Sequence, residues 1–322
     1  MSVAAEESDW PASFHDPYVH AALKAGVVAL LHPMDYAKTL IQLGHEPLKP
    51  VNTTTFLGHP KLMYPSIFAY IGHIRRRDGL VGLYAGLGPR VVSMGLSAFT
   101  GEYFAQRWPA LPTVDEEEKK KGRPLSEQEL QDRLVQTIWR DATLKVTCSL
   151  VTHPLQVMAV RTMAQFVGHE SKYKGLMNAF YEVISENGFI GFWAGWVPRA
   201  IGEVCMVAIS YSMTYAINKY ILSDKEMQKL TGHVSEFLTS SLVYPFTVVS
   251  NVMIVSKSGL AAGYPPFMPL YSDWLDCFRH LNSQKQLKRG SKMIFRYYTG
   301  PQQIVGNKVF PVDANMFMSK NQ

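Results

Sequence analysis

The stretch "DGLVGLYAGLGPR" (residues 78–90) returns without a gap as "NGFIGFWAGWVPR" (187–199). The offset is 109 residues, and it sets Gly79 on Gly188, Gly82 on Gly191, Tyr84 on Trp193, Gly86 on Gly195, Pro89 on Pro198 and Arg90 on Arg199. Self-similarity at a fixed period marks a chain assembled from equivalent units. Working outward, Tyr64 falls on Tyr173 at the same offset, and "HPMDYAK" (32–38) is echoed by "HPLQVMAVR" (153–161) with Pro33 and Pro154 121 residues apart. The proline-to-tyrosine spacing is therefore 12 residues longer in the first unit. A third copy starts at Tyr244-Pro245, 91 residues after Pro154, passes Tyr271 and "DCF" (276–278), and ends in "GSKMIFRYYTG" (290–300), where the Gly-aromatic pattern has decayed.

Each unit reads as a helix bent at proline, a loop with a short amphipathic helix, a Gly-rich turn and a second helix opening at Pro-Arg. Long helices are expected at 18–42, 88–107, 133–166, 197–221 and 229–256. The first is about 37 Å long at 1.5 Å per residue, enough to cross a hydrocarbon layer of about 30 Å. No stretch of about 18 uninterrupted apolar residues announces a span, so hydropathy alone leaves soluble and membrane readings open. The repeats occupy 18–108, 133–222 and 229–300, within one domain of 322 residues. The segment 109–132, which contains "DEEEKKKGR", is expected as a solvated charged loop. After Pro301 a sixth helix is due, but the tail 301–322 contains Lys308, Pro311, Asp313 and Lys320 and no long apolar run.

Composition narrows the function. An apolar fraction of 47% supports a sizeable core, and a net charge of +6 without a long basic stripe disfavours nucleic acid. Cys148, Cys205 and Cys277 lie far apart and match no metal or disulfide pattern, so neither metal nor cofactor is expected. The acidic start "MSVAAEESDW" lacks the Arg-rich pattern of a cleaved presequence. No phosphate-loop, zincin or nucleophile-elbow motif occurs, and catalysis is not expected.

The polar residues have a direction. At about 100° per residue, Lys24, Asp35, Lys38 and Gln42 share one face of the first helix. Asp141, Lys145, Ser149, Thr152 and Gln156 do so on the third, Arg199, Glu203 and Ser210 on the fourth, and Glu236, Ser240, Tyr244, Thr247 and Asn251 on the fifth. The second helix offers Arg90, Ser93, Ser97 and Gly101. In water such stripes face outward. In a membrane they turn inward, because a charge at bilayer depth costs about 2.5–3.5 kcal/mol even on the lenient insertion scale. Local roles stay open: Asp35 with Lys38, and Arg199 with Glu203, either pair along their helices or meet a substrate. Arg90 and Arg199 are expected to anchor the turns, His32 and His153 to pack, and the glycines, Gly86 and Gly195 among them, to allow close helix approach.

Pro33, Asp35 and Lys38 in P-x-D-x-x-K, followed by "DGLVGLYAG", resemble the signature of the mitochondrial carrier family. Pro154 and Pro245 continue it, but Gln156 and Thr247 stand at the acid position, and Ala159 and Ser250 at the base position. The ring of ion pairs that opens and closes a solute carrier cannot form from one pair. That loss, the absent sixth helix, and "LIQLGHEPLKP" (40–50), "VPRAIGE" (197–203), "LVYPFTVVSN" (242–251) and "SGLAAGYPPFMPLY" (258–271) are similar to the mitochondrial carrier homologue group of this family. The resemblance implies an all-α membrane protein, a carrier-like three-repeat bundle of five transmembrane helices with a laterally open polar groove. It also implies residence in the mitochondrial outer membrane and insertion of α-helical, notably tail-anchored, membrane proteins. Links to membrane lipids and pro-apoptotic Bcl-2-family proteins follow from it as well. It puts Lys38 and Glu203 at polar groove positions and Tyr244 and Asn251 in the fifth-helix pattern, with Asp35, Lys24, Lys145 and Gln156 on the same faces. Rival expectations are a lipid scramblase, a docking receptor and an inner-membrane solute carrier.

Overall fold

The computed structural model describes residues 17–54, 59–112, 114–222, 225–298, 300, 302–305 and 308–311. In chain order it holds α1 (Pro17–Leu43), β1 (Val51–Thr54), β2 (Pro60–Tyr64), α2 (Ile67–Gly82), α3 (Leu87–Arg107), α4 (Val114–Lys121), α5 (Glu127–Ala164) and α6 (Gly175–Asn187). Next come α7 (Trp196–Tyr220), α8 (Lys225–Val255), α9 (Trp274–Ser283), β3 (Arg296–Tyr297), β4 (Gln302–Val305) and β5 (Lys308–Pro311). The five expected long helices are α1, α3, α5, α7 and α8. Helices α2, α6 and α9 each begin two or three residues after Tyr64, Tyr173 and Tyr271, the three equivalent tyrosines. The repeat extends to dihedral angles, since Gly79 has φ 75, ψ −172 and Gly188 has φ 66, ψ −168.

Pro33, Pro154 and Pro245 lie inside α1, α5 and α8. Proline removes one helical hydrogen bond and bends the axis, and burial changes sharply across each bend. Before it, Leu30 and Leu31 of α1, Leu150 and Val151 of α5, and Phe237 and Leu242 of α8 are exposed. After it, Tyr36, Ala37 and Leu40, Val157 to Val160, and Val248, Val249 and Val252 are buried in one core shared by all three repeats. At about 1.5–3 kcal/mol per fully buried aliphatic or aromatic side chain, this convergence of helix ends is the main source of stability. Exposed large apolar residues continue along α3 (Val92, Phe99) and α7 (Val204, Ile209). By length and composition, Phe189–Tyr220 and Leu230–Val255 are long and apolar enough to cross a membrane.

One connection recurs inside each of the three repeats. His32 Nε2 lies 2.9 Å from the Ala85 carbonyl oxygen, and His153 Nε2 lies 2.9 Å from that of Ala194. In the third repeat the Tyr244 hydroxyl donates to the Arg289 carbonyl at 3.0 Å. Each carbonyl precedes a left-handed glycine: Gly86 (φ 84), Gly195 (φ 73) and Gly290 (φ 78). These glycines face the backbone of the next unit. A Cβ on Gly86 would meet the Ala159 oxygen at 2.8 Å, one on Gly195 would overlap the Ser250 oxygen, and one on Gly290 would lie 3.4 Å from the Lys38 oxygen. Ala159, Ser250 and Lys38 are the same position, five residues past each proline. Gly290 thus returns the third repeat to the first, and the decayed "GSKMIFRYYTG" keeps the one glycine that closure needs.

Two regions depart from expectation. The charged segment 109–132 is not simply a loop. It carries α4, and α5 starts at Glu127 rather than 133 because Ser126 and Glu129 form a reciprocal capping box, Ser126 N donating to Glu129 at 2.8 Å and Glu129 N to Ser126 Oγ at 3.3 Å. Lys121 joins Glu117 and Glu129 at 3.0 Å each, Arg123 joins Glu129 at 3.0 Å, and Arg133 pairs with Glu117, so opposite charges brace both helices. The chain is also not all-α. β1, β2 and β3 form an antiparallel sheet in that order, with Val51 opposite Met63 and Met63 opposite Tyr297. In the former tail, β4 and β5 form a hairpin whose Val309 amide donates to Asn52 Oδ1 at 2.8 Å. No sixth long helix follows Gly290 among the described residues, and residues 312–322 of the expected tail lie outside them.

Arg296 fastens this sheet beneath α1, donating to Glu46 at 2.5 Å and to the Pro65 carbonyl at 2.6 Å. Burial outweighs the guanidinium and pushes the Glu46 carboxyl up to about 7. An acid whose folded value is raised stabilises the fold below its unfolded value and loses that contribution as pH rises through the folded one. Protection of the β2–β3 amides in hydrogen exchange is therefore expected to fall between about pH 4.5 and 7, and Glu46→Gln is expected to remove the dependence. Gly195→Ala is expected to cost about 1–3 kcal/mol, measured by thermal unfolding in lipid. Gly95→Ala, on an open face of α3 with nothing within 4 Å of the new methyl, is expected to be neutral or stabilising.

Candidate functional site

The polar faces of α1, α3, α7 and α8 meet where the helices converge. Asp35 does not pair with Lys38 along α1; it takes a hydrogen bond from Arg90 NH1 on α3 at 2.8 Å. The Arg90 guanidinium also reaches Thr39 Oγ1 at 3.5 Å, so this arginine of the Pro-Arg turn locks α3 to α1. Lys38, released from its neighbour, places its ammonium 5.5 Å from the centre of the Tyr244 ring on α8, within range of a cation–π attraction.

Between α1 and α8 a hydrogen-bond network without a carboxylate takes the place of ion pairing. Asn251 Nδ2 donates to Gln42 Oε1 at 2.6 Å, Gln42 Nε2 donates to the Tyr244 hydroxyl at 2.8 Å, and that hydroxyl donates to the Arg289 carbonyl. Arg289 Nε closes the loop on the Gln42 carbonyl at 2.5 Å. Gln42 and Asn251 are almost fully buried, at 3% and 4% exposure. These bonds hold the side chains in one geometry although the buried Asn251 Oδ1 has no partner among the described residues, a deficit that costs roughly 1–3 kcal/mol. This end of the bundle is shut.

Arg199 and Glu203 are not joined by an ion pair either, although they stand one helical turn apart within electrostatic reach. Of the other expected residues, Gln156 is half-buried and its side chain makes no hydrogen bond among the described residues, and Lys24 and Lys145 are exposed on the outlying halves of α1 and α5 and share no bond with the cluster there. Pro33, Pro154 and Pro245 stand at the helix bends and Gly86 and Gly195 at the close approaches already described; Arg90 ties α3 to α1, and the Arg199 side chain makes no bond among the described residues. Asp141, from the polar face of α5, accepts from the Tyr211 hydroxyl at 2.6 Å and from Arg140 at 2.5 Å, forming a second polar tie near the other end.

Three arginines outside the sequence-derived set hold the junctions. Arg77 donates to the Phe166 carbonyl at 2.5 Å, Arg161 to that of Ile254 at 3.0 Å and Arg289 to that of Gln42. Each reaches from one repeat into the backbone of the next. They are not in register with one another, so the repeat carried no signal for them; only Arg161, inside the apolar "VMAVRTM", stands out in the sequence. Beside Arg77, burial first and that guanidinium second pull His45 down to about 4, leaving its ring neutral.

Three proline-bent units closed in a ring by glycine-to-backbone seats define a carrier-type helix bundle. The description "Mitochondrial carrier protein" matches residues 17–104 and 141–225. "Mitochondrial carrier homolog 2" of Homo sapiens is 35% identical over 286 residues, covering 85% of this chain and 92% of that protein. "Mitochondrial carrier homolog 1" of Mus musculus is 34% identical over 297 residues, covering 85% and 75%. "Mitochondrial thiamine pyrophosphate carrier 1" of Pyricularia oryzae is 23% identical over 240 residues, covering 72% and 70%. The chain belongs to the mitochondrial carrier protein family and is similar to its carrier homologues, a membership that assigns it to the mitochondrial membrane proteins.

The Asp35–Arg90 tie is testable by charge exchange. Asp35→Arg and Arg90→Asp are each expected to lower stability by about 1 kcal/mol, a modest cost because the Asp35 side chain is 45% exposed. The double exchange should recover much of it, read as a coupling energy from thermal unfolding of all four proteins in lipid.

Proposed function

We propose that this protein is an insertase of the mitochondrial outer membrane that passes α-helical, notably tail-anchored, membrane proteins into lipid through a hydrophilic groove. In this reading α1, α3, α5, α7 and α8 all cross the membrane. Their exposed apolar residues face the acyl chains, and the helix halves before the prolines enclose a wet space. The observation that carries the reading is the third junction. There a Gln42–Asn251–Tyr244–Arg289 network that contains no carboxylate joins α8 to α1, with no acid–base pair to break and re-form.

A bundle shut at one end by such a network, with no long helix after Gly290 among the described residues, favours lateral release over passage from side to side. A client helix entering sideways would keep its apolar segment in hydrocarbon. Its polar flank would rest against Lys38, Glu203 and the half-buried Gln156, which offer hydrogen bonds where lipid has none. No covalent step is needed, and no cofactor takes part. The same groove would suit lipid headgroups, and exposed surfaces of the bundle would suit docking of pro-apoptotic Bcl-2-family proteins; insertion is the reading chosen because polar residues recur along the length of α1, α5 and α8, from Lys24 to Gln42, Asp141 to Gln156 and Glu236 to Asn251.

The test is reconstitution of the purified chain alone into liposomes with a tail-anchored protein, scored by protease protection of its tail. Wild type is expected to insert the client, while Lys38→Leu and Glu203→Leu each reduce the rate about tenfold, the effect of losing one buried polar contact of about 1.4 kcal/mol. Saturable exchange of a small metabolite with no insertion would overturn the reading in favour of a solute carrier. Headgroup flipping with no insertion, unaffected by both substitutions, would overturn it in favour of a scramblase.

A further inference from the structure

Repeat symmetry exposes one arginine whose carboxylate is missing. Arg90 and Arg199 are equivalent at the 109-residue offset, and Asp35 is equivalent to Gln156 at the 121-residue offset. The His32–Ala85 and His153–Ala194 bonds, both 2.9 Å, hold the two helix pairs in the same register. Three residues past the histidine and five past the alanine, repeat 1 has its 2.8 Å carboxylate–guanidinium bond. Repeat 2 has an amide there and no bond. Arg199 makes no hydrogen bond or ion pair among the described residues, while Arg90, His153 and Glu203 lie within its electrostatic reach. Glu203 shares the helix but lies beyond ion-pair distance.

Arg199 is partly buried and its guanidinium has no protein partner among the described residues, so its planar fork, shaped for a carboxylate, is open to one. We propose that Arg199, with Gln156 beside it, is a receptor for a carboxylate of the incoming polypeptide, supplied by its C-terminal α-carboxyl group or an acidic residue of its polar flank. The template is internal to the chain, since the Asp35 carboxylate already fills the matching position on Arg90. Gln156, neutral and half-buried, can donate to such an anion from its amide, which an aspartate there could not. The inference rests on the insertase reading and names the group by which a client is held.

Two assays on the full chain in liposomes separate the inference from that reading. A tail-anchored client with an uncharged flank is prepared with a free C-terminal acid or a C-terminal amide, and a photocrosslinker replaces its last residue. Wild type is expected to insert the acid about tenfold faster than the amide and to crosslink the acid selectively to α7. Arg199→Gln should abolish both preferences. Gln156→Glu, which restores the internal pair, should also abolish them while raising the thermal midpoint of the empty protein. Acid and amide inserted equally by wild type and both variants would overturn the receptor and leave the insertase standing. Selective crosslinking without insertion would overturn the insertase and leave the receptor. A crosslink that ignores the terminus and falls as anionic phospholipid is added would overturn the receptor in favour of a lipid phosphate.

Discussion

The whole architecture depends on a backbone carbonyl held just ahead of a left-handed glycine. Within each repeat a ring from the proline-bent helix grips that carbonyl, and the glycine lets the turn lie on the backbone of the next unit. A side chain on Gly86 or Gly195 would push neighbouring units apart, and one on Gly290 would crowd Gln42 and Tyr244 in a left-handed turn, so closing the ring favours glycine at all three seats. Once three such seats exist, the proline-bent helix ends have nowhere to go but together. Their buried valines, leucines and tyrosines then form a core common to all repeats. The outer helix halves, free of the seats, keep their apolar surfaces exposed.

Sequence made the repeating parts legible, because a seat used twice at one offset leaves a gapless pattern such as "AGLGPR" against "AGWVPR". The prolines, the five long helices and the shared polar faces followed from periodicity. The pairing of individual side chains did not. Helical projection puts Asp35 and Lys38 on one face, but it carries no information about Arg90 from another helix, whose fork won the carboxylate. The same projection included Lys24 and Lys145, which point the same way yet sit too far along their helices to join the cluster.

The strands were invisible for a different reason. β3 is two residues long and pairs with β2 across more than two hundred residues of chain, a contact that no local alternation announces. The α4 segment read as a loop because its composition is almost wholly charged; what holds it helical is the arrangement of opposite signs around Lys121, Glu117 and Glu129, supplied partly by α5. The third repeat looked eroded because Lys288 stands where the other units have Tyr84 and Trp193, and Met293-Ile294 where they have Pro-Arg, although Gly290 and the carbonyl before it survive.

The sheet has a consequence for biogenesis. β2, made early between the first two helices, receives its second neighbour only when Arg296 and Tyr297 emerge from the ribosome. Until then one edge of β2 is unpaired and the buried Arg296–Glu46 contact cannot exist. The sheet of the first repeat is thus completed by residues of the third, and it cannot form before that repeat has been made.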